Sequence, residues 1–357
     1  MIKLLRKILF PFAILYGFVT NIRNFLFDRG ILKSYSLDIP IIAVGNLSVG
    51  GTGKTPQIEY LIRLLSPNYK VATLSRGYKR ESKGFVLANS NSNATILGDE
   101  PFQFYKKFSN IQVAVDADRK NGIEQLLSQS IKPDVILLDD AFQHRKVKAG
   151  FYILLTSYGD LYSDDFLLPT GNLRESRSGA QRANIIIVTK CPINLTLEEQ
   201  FRIKRFLLCR TRGQSPNWRS NDKGKNQELY FSYIDYDDFV YSENQKIPVS
   251  EIKSKNKLLV AGIAKPQPFF NYLENKDDSF MTFPDHHNFT EKDIVSIQNQ
   301  AMGNVIITTE KDYVRLKDKI TNKQLYYLSI RSSIMEKGDY FDKSILEYLK
   351  KAKLQNR

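Results

Sequence analysis

The sequence predicts an α/β fold in which a mostly parallel sheet is covered on both faces by helices. Three observations support this class: short apolar, β-branched runs recur, segments of helical period separate them, and a glycine-rich segment follows the first run. Near-continuous apolar runs are typical of parallel strands that are buried on both faces. The runs are residues 39–44, 71–74, 135–138, 152–155, 185–189, 258–261 and 305–308.

The amino terminus predicts an amphipathic helix that lies at a membrane surface. Residues 8–20 are mostly apolar, but a spanning helix needs ~20 apolar residues, and Pro11 interrupts this run. Its flanking basic residues are Lys3, Arg6, Lys7 and Arg23. Such a helix fits the membrane interface, with its basic side chains near lipid headgroups. The bulky residues after it do not resemble a signal-peptide cleavage site. The alternative is a helix that packs on the protein's own core.

Composition limits the class of protein and its partners. A chain of 357 residues with 42% hydrophobic and 12% aromatic residues can bury substantial cores, in one large or two ordinary domains. The net charge of +14 favours polyanionic partners, whether nucleic acid, anionic lipid or phosphorylated substrates. A solvated basic surface without a special partner is the alternative. The two cysteines have no paired spacing, which indicates a reducing compartment.

The glycine-rich segment after the first run has the layout of a phosphate-binding loop, or P-loop. It lies between a predicted strand and a predicted helix. The candidate nucleotide-binding residues are Ser48, Val49, Gly50, Gly51, Thr52, Gly53, Lys54 and Thr55. Glycines let successive N–H groups face phosphate oxygens. Lys54 would reach the β- and γ-phosphates of ATP and Thr55 would hold Mg²⁺. Ser48 stands where glycine is usual. The fold predicted is therefore P-loop nucleoside triphosphate hydrolase-like.

Acidic residues at the end of a later strand complete the expected nucleotide site. Asp139 and Asp140 follow the run 135–138, and Asp139 is the candidate Mg²⁺ ligand. Residues 139–142 and 189–192 lack the glycine and the aspartate that a GTPase would carry there. No second motif for nucleic-acid binding stands out. A kinase is the function class favoured. A P-loop ATPase or kinase with another membrane-associated substrate, and a regulatory nucleotide-binding module, are the alternatives.

Seven motifs occur in order along the chain. They are residues 44–56, 75–78, 98–101, 139–145, 168–175, 283–287 and 309–312, which read VGNLSVGGTGKTP, SRGY, GDEP, DDAFQHR, LPTGNLRE, FPDHH and TEKD. Together they resemble the tetraacyldisaccharide 4′-kinase family of lipid A biosynthesis, in which serine at position 48 is usual. The resemblance implies transfer of phosphate from ATP to the 4′-hydroxyl of a lipid A disaccharide 1-phosphate, at the cytoplasmic face of the bacterial inner membrane.

Phosphoryl transfer needs a group that takes the proton of the acceptor hydroxyl. Asp99 is the first candidate, because Gly98 leaves its backbone room and Pro101 stiffens the turn. A neighbouring histidine can help a carboxylate in this role. The resemblance implies that His286 is the partner of Asp99, and His287 is the alternative.

The resemblance also assigns supporting residues around the metal and the substrate. Asp140, Gln143, His144 and Glu175 match its motif positions, and Glu175 is a candidate metal ligand with Thr55. Arg76 and Arg119 are candidates for contacts with phosphate or substrate; solvated arginines are the alternative.

Changes in composition divide the chain into four predicted parts. Residues 1–30 form the membrane-interface helix, 31–212 the ATP-binding domain and 213–257 a linker or small β excursion. Residues 258–357 form a second, smaller α/β domain that closes over the nucleotide cleft. Residues 261–266 of this domain resemble the loop that lies at the inter-domain cleft in the tetraacyldisaccharide 4′-kinase family. Residues 345–353 predict a basic terminal helix.

Overall fold

The computed structural model describes residue 6 and residues 8–210, 227–243, 245–285, 287–320 and 324–355. Within these residues, thirteen strands form one sheet, which confirms the α/β class. The strands are β1 Ile41–Asn46, β2 Val71–Ser75, β3 Val86–Leu87, β4 Gln112–Val115, β5 Val135–Asp139, β6 Phe151–Ser157, β7 Ile185–Thr189, β8 Glu228–Tyr241, β9 Lys246–Pro248, β10 Lys257–Ala261, β11 Ser279–Thr282, β12 Val305–Thr309 and β13 Leu325–Ile334.

Helices flank this sheet along the described chain. They are α1 Phe10–Asp28, α2 Lys54–Leu65, α3 Ala94–Leu97, α4 Asp99–Lys107, α5 Arg119–Leu127, α6 Leu197–Arg210, α7 Val249–Lys253, α8 Gln267–Leu273, α9 Glu291–Ala301, α10 Glu310–Leu316 and α11 Gly338–Gln355. A 3₁₀ helix, Arg177–Arg182, precedes β7.

All seven predicted apolar runs are strands, and their mutual pairings are parallel. The strand order is β11-β10-β12-β13-β8-β7-β6-β1-β5-β2-β4-β3, and β9 pairs with β8. Strand β1 therefore lies between β5 and β6, with Val44 level with Asp139. Because parallel strands end at one edge of a sheet, the loops after β1, β2, β5 and β7 gather there.

Strand β1 shows how both faces of the sheet are buried. Ile42 and Val44 pack on one face with α2, while Ile41 and Ala43 pack on the other face with α5. The alternation follows from the period of two along a strand. It fixes β1 between two layers of helix and holds the loop after it in place.

Strands β8 and β13 join the two halves of the sheet. The first part of β8 pairs parallel with β7, and its later part pairs antiparallel with β13. The sequence predicts a linker or small β excursion over residues 213–257 and no strand at β13, because polar residues and tyrosines interrupt the apolar pattern of both strands.

The last helix packs on the first half of the molecule. Phe341, Ile345 and Leu349 of α11 share a hydrophobic cluster with Ile42 of β1. The Tyr348 hydroxyl lies 3.2 Å from the Ile41 carbonyl oxygen, to which it donates a hydrogen bond. The sequence placed this helix in the second predicted domain, but its apolar face fits the core beside β1. The rest of the predicted division stays a prediction.

Helix α1 packs against loops at the carboxyl edge of the sheet through one narrow face. Ala13 and Gly17 are buried, and a Cβ on Gly17 would lie 2.6 Å from Leu167 Cδ1, so glycine permits the close approach. The opposite face is apolar and exposed; Phe12 and Phe18 are 61% and 62% exposed. Within the described part of the chain, no helix has the length and apolar character needed to cross a membrane.

Candidate active site

The P-loop follows β1 and leads into α2, as the sequence predicts. Gly50 and Gly53 have φ values of 113° and 82°, in the left-handed region that favours glycine. Helix α2 begins with Lys54 and Thr55, so its amino terminus faces the loop. N–H groups of the loop and the helix end together form an arrangement suited to phosphate oxygens.

Residues at the end of β7 anchor the second half of the P-loop. The buried Thr189 hydroxyl donates to the Thr52 carbonyl oxygen over 2.8 Å. Lys190 Nζ lies 2.5 Å from the Gly51 carbonyl oxygen, to which it donates. These two bonds fix the backbone that carries Gly53 and Lys54. In the sequence, residues 189–192 indicate only that the aspartate of a GTPase motif is lacking.

The segment after β6 anchors the first half of the P-loop. The Val49 N–H donates to the Asn172 carbonyl oxygen over 2.8 Å, and the Arg174 N–H donates to the Leu47 carbonyl oxygen over 2.8 Å. Ser48 and Leu173 form an antiparallel bridge. The motif at residues 168–175 therefore contacts the first half of the P-loop directly.

Asp139, at the end of β5, is a buried carboxylate whose negative charge has few compensating partners. Its Oδ1 atom is buried without a hydrogen-bond partner among the described residues, and Ser75 Oγ lies 3.5 Å from its Oδ2. Burial and the neighbouring charge of Asp140 raise the pKa of Asp139 to about 6, against the lowering effect of Lys54. A cation bound at this buried carboxylate would stabilise its ionised form.

Asp140 has the opposite environment. Arg174 donates to both of its oxygens, over 3.1 and 2.8 Å, and Lys54 Nζ lies 3.6 Å from its Oδ1. Burial would raise the pKa of Asp140, but these partners outweigh it and lower the pKa to about 2. Asp140 has a φ of 47°, which turns the chain directly after β5. The two adjacent aspartates are thus in different electrostatic states.

Arg174 connects the Asp140 carboxylate with the end of β1. Its Nη2 donates to the Asn46 carbonyl oxygen over 3.2 Å and also contacts Asn46 Oδ1. Lys54 Nζ lies 3.5 Å from the same Oδ1. In the sequence, Arg174 belongs to the motif at 168–175 but has no predicted role. Its bidentate contact with Asp140 is a geometry that lysine cannot form.

Arg119 lies beneath the two aspartates rather than at the surface. Its side chain is buried and donates to the Asp116 carbonyl oxygen over 2.6 Å and to the Asp139 carbonyl oxygen over 3.2 Å. Burial lowers the pKa of Arg119 to about 10 despite the nearby carboxylates, and it lowers the pKa of His144 to about 4, aided by the charge of Arg119. His144 is therefore neutral at physiological pH. Arg76, by contrast, is exposed.

Gln143 and Glu175 link the end of β1 with helix α1. Gln143 Nε2 donates to the Asn46 carbonyl oxygen over 2.8 Å and to Glu175 Oε1 over 3.0 Å. Glu175 Oε1 also accepts from Arg182 over 2.7 Å, and its Oε2 accepts from Asn24 over 2.9 Å. Both oxygens of Glu175 are engaged. This geometry favours a positioning role for Glu175 over the metal-ligand role that the resemblance implies.

Asp99 occupies the first position of α4. Gly98 before it has a φ of 90°, and a Cβ there would lie 3.0 Å from the Tyr78 carbonyl oxygen. The Asp99 carboxylate forms an ion pair with Arg315 of α10, a residue for which the sequence predicts no role. The predicted partner His286 lies outside the described residues. Nε2 of the alternative, His287, lies 3.0 Å from Asp293 Oδ2.

The site residues form two groups. The first surrounds the P-loop and consists of Lys54, Asp139, Asp140, Gln143, Arg119 and Glu175, connected by the contacts above. The second lies where α4 and α10 pack against each other and contains Asp99 and Arg315.

The residues at the P-loop fit a hard divalent cation. Mg²⁺ prefers oxygen ligands and is commonly held by one or two carboxylates together with phosphates of the substrate. Asp139 offers a buried, unpartnered carboxylate oxygen, and Thr55 offers a half-buried hydroxyl at the start of α2. In the described ranges, no group of three or more His, Cys, Asp or Glu residues is arranged to hold a metal on its own.

Comparison with known proteins matches this architecture to one family over almost the whole chain. A sequence model described as Tetraacyldisaccharide-1-P 4′-kinase matches residues 5–350. The tetraacyldisaccharide 4′-kinases of Flavobacterium johnsoniae and Flavobacterium psychrophilum are 67% and 62% identical to it, over 98% and 97% of both chains. The crystal structure of LpxK from Aquifex aeolicus in complex with ATP superposes with a TM-score of 0.74 at 30% identity, covering 97% of this chain and 99% of that one.

Proposed function

The chain belongs to the tetraacyldisaccharide-1-P 4′-kinase family, and we propose that it transfers the γ-phosphate of ATP to the 4′-hydroxyl of a tetraacyldisaccharide 1-phosphate. The product is lipid IVA, an intermediate of lipid A biosynthesis. The observation that carries the proposal is the P-loop itself. It places Lys54 beside the aspartates that end β5, in a chain that matches this family from residue 5 to 350.

ATP is the proposed donor, bound by residues 48–55. The Aquifex aeolicus relative forms a complex with ATP and shares the fold over nearly its full length, which supports this assignment. Lys54 would contact the β- and γ-phosphates, where its charge offsets the charge that develops during transfer. Asp139 and the Thr55 hydroxyl would hold Mg²⁺, which neutralises and orients the phosphates when it is bound.

Asp140 and Arg174 prepare the site for this chemistry. Because Arg174 and Lys54 compensate the charge of Asp140, its carboxylate stays ionised, and Lys54 Nζ lies 3.6 Å from it. Arg119 supports the Asp139 backbone from below, and Gln143 holds the end of β1. These residues position the nucleotide-binding atoms. Arg76, exposed at the same edge of the sheet, is a proposed contact for substrate phosphate.

Asp99 is the proposed base for the acceptor. As the oxygen of the 4′-hydroxyl forms its bond to the γ-phosphorus, the bond from that phosphorus to the β–γ bridging oxygen breaks, and ADP leaves. Asp99 takes the hydroxyl proton. Arg315 holds the Asp99 carboxylate at the start of α4. A histidine partner for Asp99, with His286 as the candidate, stays a prediction.

The acceptor is proposed to reach the site from a membrane surface. Helix α1 exposes an apolar face with Phe12 and Phe18 outward, as an interfacial helix does. Its inner face contacts the loops around the P-loop: Tyr16 donates to the Arg174 carbonyl oxygen over 2.8 Å, and Asn24 contacts Glu175. A net charge of +14 suits anionic lipid and a phosphorylated glycolipid. We place the enzyme at the cytoplasmic face of the inner membrane.

The proposal is tested with γ-labelled ATP, Mg²⁺ and a purified tetraacyldisaccharide 1-phosphate in detergent micelles. Label in the glycolipid is the expected result. Label only in free phosphate would indicate an ATPase, and nucleotide binding without turnover would indicate a regulatory module; either result would contradict the proposal. Thermal unfolding with and without Mg²⁺ and ATP tests the metal separately, because a ligand that binds the folded state raises its stability.

A further inference from the structure

A buried cluster of charged side chains lies where α2, α4, α10 and β13 meet. At its centre, Lys107 of α4 directs its ammonium group between two carboxylates. Nζ lies 2.8 Å from Glu59 Oε2 of α2, 2.7 Å from Glu310 Oε2 of α10 and 2.8 Å from Ser329 Oγ of β13. All three donors of the ammonium group are therefore used. We call Glu59, Gln103, Lys107, Glu310 and Ser329 the Lys107 cluster.

Further hydrogen bonds close the Lys107 cluster. Gln103 Nε2 donates to Glu59 Oε1 over 3.0 Å, and Ser329 Oγ donates to Glu310 Oε2 over 2.8 Å. Glu59 is 1% exposed. Its burial raises the pKa of this carboxyl, while the charge of Lys107 acts in the opposite direction. Burying charges is costly, and apolar side chains of similar volume often give equal or greater stability. The stability of the fold alone therefore does not require charged side chains at these positions.

The Lys107 cluster connects the two groups of site residues. Helix α4 begins with Asp99 and ends with Lys107. Helix α10 begins with Glu310 and carries Arg315 near its other end. The two helices are thus joined at both ends, by the pairs Asp99–Arg315 and Lys107–Glu310.

The third element joined at the cluster is α2, which begins with Lys54 and Thr55. Glu59 lies just over one turn further along this helix, and it receives both Lys107 and Gln103 of α4. A chain of direct contacts therefore runs from the helix of the proposed base to the helix of the proposed ATP ligands.

We propose that Lys107 is a positioning residue for phosphoryl transfer: through Glu59 and Glu310 it sets the place of Asp99 relative to the γ-phosphate. The inference rests on the proposed function, in which Asp99 and Lys54 act on acceptor and donor. A displacement of 1 Å at reacting groups can lower a rate by about a hundredfold. ATP binding depends on the P-loop, which Thr189 and Lys190 anchor independently.

Two variants test the positioning role. Lys107→Met removes the central charge, and the triple variant Glu59→Gln, Lys107→Met, Glu310→Gln removes these three charges without leaving a carboxylate unpaired. Arg63, which also donates to Glu59 Oε2 over 2.8 Å, is partly exposed and keeps the glutamine oxygen as an acceptor. The matched control is Lys257→Met with Asp278→Asn, since the side chains of this pair are fully buried at 2.8 Å and their further hydrogen bonds go to Lys255 and Asn275, outside α2, α4 and α10. The full-length protein is assayed for kcat, for KM of ATP and for thermal unfolding.

We expect the triple variant to fold and to lose about tenfold to a hundredfold in kcat, with KM for ATP within about twofold of wild type. The control pair should keep the wild-type kcat at temperatures where it is folded. A folded triple variant with wild-type kcat, or an equal loss in the control, would overturn the inference. Absence of transfer by the wild-type protein would instead overturn the proposed function, so the two failures are distinguishable.

Discussion

The replacement Asp139→Asn should abolish activity and, at neutral pH, stabilise the free protein. Burial and Asp140 raise the pKa of Asp139 from 3.8 to about 6. The folded state therefore holds this proton more tightly than the unfolded chain, and wild-type stability falls as pH rises through that interval, then levels off. At about 1.36 kcal/mol per pKa unit, the cost above pH 7 is about 3 kcal/mol.

The asparagine variant lacks this titration but keeps the shape of the side chain. We expect it to exceed the wild type in free energy of unfolding by about 1 kcal/mol at pH 4.5 and by about 3 kcal/mol at pH 7.5. The assay is urea denaturation at both pH values, with EDTA and without nucleotide. Adding Mg²⁺ and ATP at pH 7.5 should stabilise the wild type far more than the variant, because the proposed metal ligand is gone.

Asp140→Asn is the matched control at the neighbouring position. It should destabilise the protein at pH 7.5, because it replaces one of the two oxygens that accept from Arg174 by an NH₂ group and removes a negative charge beside Arg174 and Lys54. An Asp139→Asn variant that is no more stable than wild type at pH 7.5, or a difference that does not grow with pH, would refute the electrostatic reasoning. Equal stabilisation of both proteins by Mg²⁺ and ATP would refute the metal assignment.

Three further changes have defined expectations. Lys54→Ala should lower kcat by at least about a hundredfold, because a preorganised charge on the transferred phosphate is lost; near-normal turnover would exclude the P-loop as donor site. Asp99→Asn should lower kcat by about 10²–10⁴-fold with little change in KM for ATP, and kinetics matching wild type would remove Asp99 as base. Phe12→Ser with Phe18→Ser should weaken binding to anionic vesicles about a hundredfold, since each buried phenyl contributes at least about 1.5 kcal/mol. Phe201→Ser, at another exposed apolar residue, should bind as wild type does.

The fold could be predicted where local pattern and burial agree. Strands such as β1 and β5 are buried along their whole length, so an unbroken apolar run marks them. Strand β8 alternates buried and exposed residues and carries aspartates, because it is covered differently along its length. Helix α11 packs on β1 from more than 280 residues away, and no local pattern shows such a partner.

The candidate site was predicted as far as its motifs reach. The glycines, Lys54 and Asp139 have spacings that follow from phosphate and metal chemistry. Arg315, Lys190 and Lys107 act through partners that are remote in sequence, and an isolated lysine or arginine has no distinguishing local signal. For Glu175, the motif position implies the role of a metal ligand. The structure favours another role, because Arg182, Gln143 and Asn24 donate hydrogen bonds to its oxygens.

The proposed function requires that the glycolipid is phosphorylated on its 4′-oxygen, and NMR of the product measures that position. After complete turnover of ATP with tetraacyldisaccharide 1-phosphate, we expect a second glycolipid phosphorus signal coupled to the proton on carbon 4′ of the distal sugar. The same reaction with Lys54→Ala should leave only the original 1-phosphate signal of the glycolipid. A product phosphorylated at another carbon, or unchanged glycolipid beside free phosphate, would contradict the proposed function.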